Sequence, residues 1–567
     1  RLGRKTRAMW RRGAWFLLFA LLTAAVGKEG EGQELVIEAE QRTLGSEQAG
    51  EAEGEGEEGA EGEDGEEHHH EVKSKDLTGA LFLMGGVTFV MSLFYLVNHP
   101  DMDIREHTWK VINATVSIFV SILLFQGITG VSDAACDEYL SHNHSNSAKI
   151  GFAYCMFLLF YCCLHLILFS FAYQKEEDQE PGSLTRTTSM FVGEETMTFE
   201  QKRKRKMACW ATLFSHMAGF AHIRCSLDLQ QLDVFQTGVM AWLPSLLNAL
   251  LLMVIFKLSD MFRGRWNTRK EDQDGYHLWE EGAEETEDDI AAIGISFSMV
   301  VVLRHCLTGE MANSQGLQLP VINHSSSAKY YISIASVVFA LLAIAILFAF
   351  WRFRSRSSGT YLEMKNQETH SPMSYYGNSY LSRWIRIASS TCATASSWCG
   401  LYSAKWVLYG FERLAEQDAD PNSCILRVIL ALLVSFCSFV LVYFLDKLKD
   451  LEATGEVADT AILEVIHAIG VSVGFAWEQA FDAGVETIGE LTEHLGSWYP
   501  VWARMIVALL VAGVMIPAWR LYLIKKSLEK HEKCAGKIAG QPCGAVLLID
   551  ASYCHNCGRP VSKPAVH

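Results

Sequence analysis

Tyr330-Tyr-Ile-Ser-Ile-Ala-Ser-Val-Val-Phe-Ala-Leu-Leu-Ala-Ile-Ala-Ile-Leu-Phe-Ala-Phe-Trp351, followed at once by Arg352-Phe-Arg354-Ser-Arg356, decides the class of fold. A run of this length without a charge makes a helix of about 33 Å, enough to cross the hydrocarbon core of a bilayer. The three arginines that close it mark the side where positive charge stays, the cytosol. Outward from this run the same alternation recurs, and spans are expected at 77–97, 108–131, 150–173, 207–225, 234–258, 289–307, 329–351, 388–410, 427–446, 460–484 and 501–523. Half of the 567 residues are hydrophobic and a fifth are charged, so the two kinds must be segregated along the chain. The expected fold is an all-α, polytopic membrane helix bundle of about eleven spans. The least apolar of these are the fourth, with His216 and His222, and the eighth, with Ala388-Ser-Ser-Thr-Cys-Ala-Thr-Ala-Ser-Ser-Trp398.

Loop charge orients the spans. Lys202-Arg-Lys-Arg-Lys206, Arg263 with Arg265, Arg269 and Lys270, the Arg352–Arg356 group, Lys447 with Lys449, and Lys525 with Lys526 all follow odd-numbered spans. The alternate loops are nearly free of Lys and Arg, which places the N-terminal side outside and the C-terminus in the cytosol. The sequons Asn143-His-Ser145 and Asn323-His-Ser325 fall in the outer loops, so Asn143 and Asn323 are the expected glycosylation sites. Asn113-Ala-Thr115 lies inside a span, out of reach of glycosylation. Cys136, Cys225 and Cys424 lie on or near the outer side, where they could pair.

Before the first span, Arg11 and Arg12, the apolar run Trp15–Val26 and the small residues Ala25 and Gly27 read as a signal peptide over 1–27, with Met9 as the start. Residues 28–76 form an acidic outer tail rich in Glu and Gly, which carries most of the net charge of −17 and is expected to be disordered. The acidity therefore says nothing about nucleic acid, and no nucleic-acid motif occurs. The secretory route is implied, with the plasma membrane as its default destination.

Asn143-His-Ser-Asn-Ser-Ala-Lys149 and Asn323-His-Ser-Ser-Ser-Ala-Lys329 differ at one position, and Ile128-Thr-Gly130 and Leu307-Thr-Gly309 precede them at matching offsets. This implies parallel repeats of three spans plus a linking helix, at 77–225 and 226–410, with a degenerate third copy at 411–526 and a small cytosolic tail at 527–567. Such repeats are frequent in transporters.

The tenth span holds the candidate chemistry. At 100° per residue, Glu464, His467, Val471, Gly474, Glu478 and Asp482 share about a quarter of the helix circumference. A charge facing lipid costs at least about 2.5–3.5 kcal/mol, so this stripe should face the bundle interior or water. A stack of carboxylates with a histidine suits a cation or proton path; the plainer alternative is that these groups only fix helix packing. Arg304, near the outer end of the sixth span, is the expected ion-pair partner of Glu478. His216 and His222 are too far apart around the fourth helix to share a face. Pro244 and Pro517 are expected to kink the fifth and eleventh helices. Glu464-x-x-His467 is half of a di-iron motif, but the other half is missing.

In the tail, Cys543-Gly544 and Cys554-His-Asn-Cys557-Gly558-Arg-Pro560 resemble a zinc ribbon, with Gly540 where a fourth cysteine belongs. The resemblance implies one structural zinc held by Cys534, Cys543, Cys554 and Cys557. No phosphate-binding glycine loop, Gly-x-Ser-x-Gly or His-Glu-x-x-His occurs, so an enzyme is the least favoured class. Two readings remain: a transporter or channel for a cation, proton or small solute, and a non-transporting scaffold, receptor or sensor whose tail binds a cytosolic protein.

Overall fold

The computed structural model describes residues 74–140, 146–174, 199–236, 238–267, 273–313, 316, 318, 324–357, 380–410, 424–449, 455–527, 537–538 and 541–542. The chain divides into two units, Arg1–Lys73 and Ser74–His567, and every described residue belongs to the second. The expected signal peptide, the acidic tail up to residue 73, Asn143, Asn323, and Cys534, Cys543, Cys554 and Cys557 lie outside the described residues.

Among the described residues eleven helices have 20 residues or more: α1 (Ser74–Val97), α2 (Met102–Leu140), α3 (Asn146–Ala172), α4 (Phe199–Gln230), α5 (Leu243–Asn267), α6 (Gln273–Thr308), α7 (Ser326–Ser357), α8 (Tyr380–Leu408), α9 (Cys424–Lys449), α10 (Gly455–Glu490) and α11 (Tyr499–Ala518). Eight are long and apolar enough to cross a membrane; α4 and α8 are not among them, and α1 contributes the shorter apolar stretch Met84–Val97. An all-helical bundle with eight such helices is what a membrane protein presents. The described residues also include one antiparallel pairing of two-residue strands, Lys537–Ile538 with Gln541–Pro542.

The even-numbered helices form a closed inner ring in which α2 packs on α4, α4 on α6, α6 on α8, α8 on α10 and α10 back on α2. The odd-numbered helices lie around it. In α7 and α11 only 17% and 11% of the apolar stretch is buried, against 67% in α6 and α10, so the outer helices turn their leucines and valines to the surroundings. Large exposed hydrophobic side chains such as Val87, Leu159, Leu250, Val338, Leu441 and Leu510 mark that outer face. α3 lies along α4 and α7 lies along α8, so the two helices that follow the Asn-His-Ser motifs are placed alike.

Ion pairs show that neighbours alternate in direction. Lys447 and Lys449 near the end of α9 reach Asp101 and Asp103 at the start of α2, at 2.9 and 3.1 Å. Arg263, late in α5, reaches Glu287 in the first half of α6 at 2.9 Å. These contacts share one end of the bundle with the Lys- and Arg-rich loops, here called the basic end.

Pro244 does not kink α5. It occupies the first turn, after a 3-10 segment at Gly238–Trp242, where proline lacks no hydrogen bond it would otherwise make. Pro517 does perturb α11: its missing N–H is followed by a π-helical turn at Trp519–Leu523. The buried Trp519 donates to Asn113 Oδ1 at 2.7 Å, which holds that asparagine inside the bundle. Cys225 and Cys424 are free thiols, the first buried and the second exposed, so neither is paired; the Cys136 side chain lies outside the described ones.

Candidate functional site

Two glycines seat the acidic stripe. On α10, a Cβ at Gly470 would lie 3.0 Å from Ala114 Cβ of α2, and one at Gly474 would lie 3.1 Å from the backbone of Thr115. α10 therefore rests its glycines directly on α2. It also packs on α7, α8, α9 and α11, and in the middle of the ring its Phe475 meets Phe220, Phe297 and Trp398 of the other inner helices.

That middle has three levels. Nearest the basic end, His467 is exposed and Glu464 partly exposed, although α10 is an inner helix. His216 of α4 lies within electrostatic reach of His467, and Asp289 of α6 within reach of Glu464. His216 Nδ1 is buried without a hydrogen-bond partner among the described residues.

An aromatic layer follows. Trp398 of α8 meets Phe475 edge-on at 4.7 Å between ring centres and Phe297 of α6 at 5.0 Å. Phe220 of α4 stacks on Phe475 at 6.4 Å. Trp398 Nε1 donates to Ser296 Oγ at 3.1 Å, so even its polar atom is satisfied within the layer.

Beyond the layer, Glu478 is 3% exposed and accepts a hydrogen bond from Gln126 Nε2 of α2 at 2.8 Å. Among the described residues no cation stands within ion-pair distance of it. Asp482, one turn further, is 3.8 Å from Arg427 of α9.

The expected pair between Arg304 and Glu478 is not formed. Arg304 Nε donates to Gln318 Oε1 at 3.0 Å, and its guanidinium lies 3.8 Å above the centre of the Tyr402 ring. The preference of a guanidinium for an aromatic face, together with a loop that supplies acceptors at its edge, holds it away from α10. His222 is not part of the stripe; its ring fills the space left by the missing side chain of Gly294 and meets Phe157 edge-on at 5.5 Å.

Sequence reasoning missed the largest charge cluster. Glu287 is fully buried and accepts hydrogen bonds from Tyr161 at 2.7 Å, Arg263 at 2.9 Å and Arg383 at 2.8 Å, with His165 Nε2 at 3.3 Å. Arg383 also reaches Asp288 at 2.7 Å, Arg386 reaches Asp288 at 3.2 Å, and Asp260 stands beside Arg263. α3, α5, α6 and α8 are thus tied together at the basic end. The signal was available in Glu280-Glu-Gly-Ala-Glu-Glu-Thr-Glu-Asp-Asp289, an acidic run opening one helix beside arginines of two others. A smaller cluster, Asp446 with His107 at 3.4 Å and Lys449 at 3.7 Å, joins α9 to α2 in the same way. At the opposite end Arg224 of α4 forms a two-point pair with Asp133 of α2, both contacts 2.8 Å.

No family model, curated protein or solved structure matches this chain. Among the described residues no group of three or more His, Cys, Asp or Glu side chains is arranged to hold a metal.

Proposed function

We propose that the chain is a membrane transporter or channel whose path runs through the middle of the inner ring and uses the carboxylate of Glu478. The observation that carries this reading is the setting of Glu478: a buried carboxyl at the core of a membrane bundle, held by a neutral amide and not by a cation. Such a group is expensive to bury, and in membrane proteins ionisable groups so placed mark ion and proton paths. His467, His216 and Glu464 on one side of the aromatic layer, and Asp482 on the other, extend a line of proton-carrying groups along the same axis.

Replacement of Glu478 by Gln keeps the shape and the bond to Gln126. In proteoliposomes with a pH-sensitive dye, the variant is expected to lose proton- or cation-dependent flux at unchanged expression. Wild-type flux from E478Q would make the stripe structural.

A second reading, a non-transporting scaffold or sensor, is favoured by the aromatic layer, which closes the ring with well-packed side chains. In that reading the C-terminal tail, with one zinc on Cys534, Cys543, Cys554 and Cys557, recruits a cytosolic protein. Zinc-dependent capture of a partner, without flux in the wild type, would select it.

A further inference from the structure

We infer that the end of the ring opposite the basic loops holds a site for an oxyanion, a carboxylate or phosphate group, formed by Arg304, Lys405, Lys329 and His324 around Tyr402. The inference rests on the proposed path and names the class of solute it would take.

Arg304 is 3% exposed, and its guanidinium meets neutral groups: Gln318 Oε1 at 3.0 Å, the Gly316 carbonyl at 3.4 Å and the face of Tyr402. Among the described residues no carboxylate lies within ion-pair distance. A buried guanidinium without a counter-charge is costly, and an anion is the group that offsets it. Its plane is set by Tyr402, and its Nε and Nη1 donate to Gln318 and Gly316, so the remaining N–H groups are already oriented for an oxygen acceptor.

The surroundings add positive charge. Lys405 follows Tyr402 by one turn on α8, is partly buried, and has its ammonium 5.5 Å from the Tyr409 ring centre, with Arg304 and Arg427 in electrostatic reach. Lys329, at the head of α7, brings its Nζ against Gly410, where a Cβ would come within 2.1 Å of it. His324 stacks on Trp406 at 4.2 Å and feels Arg304, Lys329 and Lys405 together. Among the described residues the acids bordering this group are Asp482, paired with Arg427, Glu478, within reach of Tyr402, and Glu310, whose carbonyl accepts from Gln318 Nε2 at 2.6 Å.

The site also sits directly on the path. Gly316 adopts a left-handed φ of 79°, and a Cβ there would stand 2.9 Å from Phe297 Cζ. Glycine thus lets the backbone that holds Arg304 settle onto the aromatic layer.

The test uses full-length protein in detergent and reads thermal melting and tryptophan fluorescence, since Trp406 stacks on His324. Sodium phosphate, sodium succinate and phosphatidylglycerol micelles are each compared with sodium chloride at matched ionic strength. A saturable response is expected in the wild type and in Lys204→Gln, an exposed change at the basic end, with a midpoint at least tenfold weaker in Lys405→Gln and Arg304→Lys. A response to free phosphate or succinate assigns the site to a solute, and a response to phosphatidylglycerol alone assigns the same oxyanion site to a lipid headgroup. No saturable response beyond chloride, or Lys405→Gln responding like the wild type, overturns the inference. Saturable binding without flux would keep the anion site and remove the transport reading, whereas proton flux through Glu478 without anion binding would do the reverse.

Discussion

Replacing Glu287 by Gln removes one charge from the most enclosed ionic cluster of the bundle while keeping its shape. The carboxylate is fully buried and faces Arg263 and Arg383 at 2.9 and 2.8 Å, with Tyr161 completing its acceptor set. Taking one partner from a buried pair typically costs about 3–5 kcal/mol, because the remaining charge is stranded. Asp260 and Asp288 stay beside the two arginines, so the lower part of that range, about 3 kcal/mol, is the expected loss. Melting of the full-length protein in detergent, followed by size-exclusion of the surviving fraction, reads the effect. Asp288→Asn should cost less, since Asp288 is 18% exposed and Arg383 keeps Glu287. The double variant Glu287→Gln with Arg383→Gln should recover part of the loss, because it restores the balance between Arg263 and Arg386 and the two remaining carboxylates, Asp260 and Asp288. Because the cluster is buried, the loss should persist at about 1 M salt, where exposed pairs are screened. A Glu287→Gln protein that melts with the wild type, or no worse than Asp288→Asn, would refute the view that charge ties α3, α5, α6 and α8 together.

Gly474→Val would press a branched side chain against the backbone of Thr115, 3.1 Å from its Cβ, and is expected to cost about 1–3 kcal/mol and lower the folded yield; Gly130→Ala, with nothing near, should be silent in the same assay. Phe475→Ala opens the aromatic layer at a cost of about 3–5 kcal/mol and should make proteoliposomes leak protons; an intact seal in folded protein would take the layer out of the path. Asn143→Gln and Asn323→Gln should each speed migration of the expressed protein on gels by one glycan step, and an unchanged band for both would reverse the assigned orientation.

The helices themselves were legible because a bilayer imposes a length and a composition that few other environments do. Eleven apolar or near-apolar runs became eleven long helices, and the boundaries moved most where polar residues extend a helix past the lipid, as at 273–288 of α6. α4 and α8 read weakly for a reason visible only in the assembly. Ser389, Thr391, Cys392, Ala393, Thr394, Ala395 and Ser396 are all buried against other helices, so α8 needs small side chains for close approach and not greasy ones for lipid. Burial alone does not lower hydropathy, since α2, α6 and α10 are inner helices too and remain apolar; it is the small polar side chains at the α8 contacts that do. The stripe on α10 could be found by angle alone, since its residues lie on one helix. The Glu287 cluster and the cation group around Tyr402 draw on three or four helices each, and no spacing within one segment reveals them. The pairing of Arg304 with Glu478 failed because matching depth does not fix azimuth, and Tyr402 offered the guanidinium a nearer face.

The closed ring of even-numbered helices also bears on how the chain enters the membrane. α4 and α8 are too polar to partition into lipid readily as isolated segments, yet each is synthesised directly after the apolar helix along which it lies, α3 or α7. The nascent chain thus delivers a lipid-compatible helix first and its polar companion next, so that a hairpin can be released where a single helix would stall. The order of synthesis thereby supplies the shelter that the composition of α4 and α8 lacks.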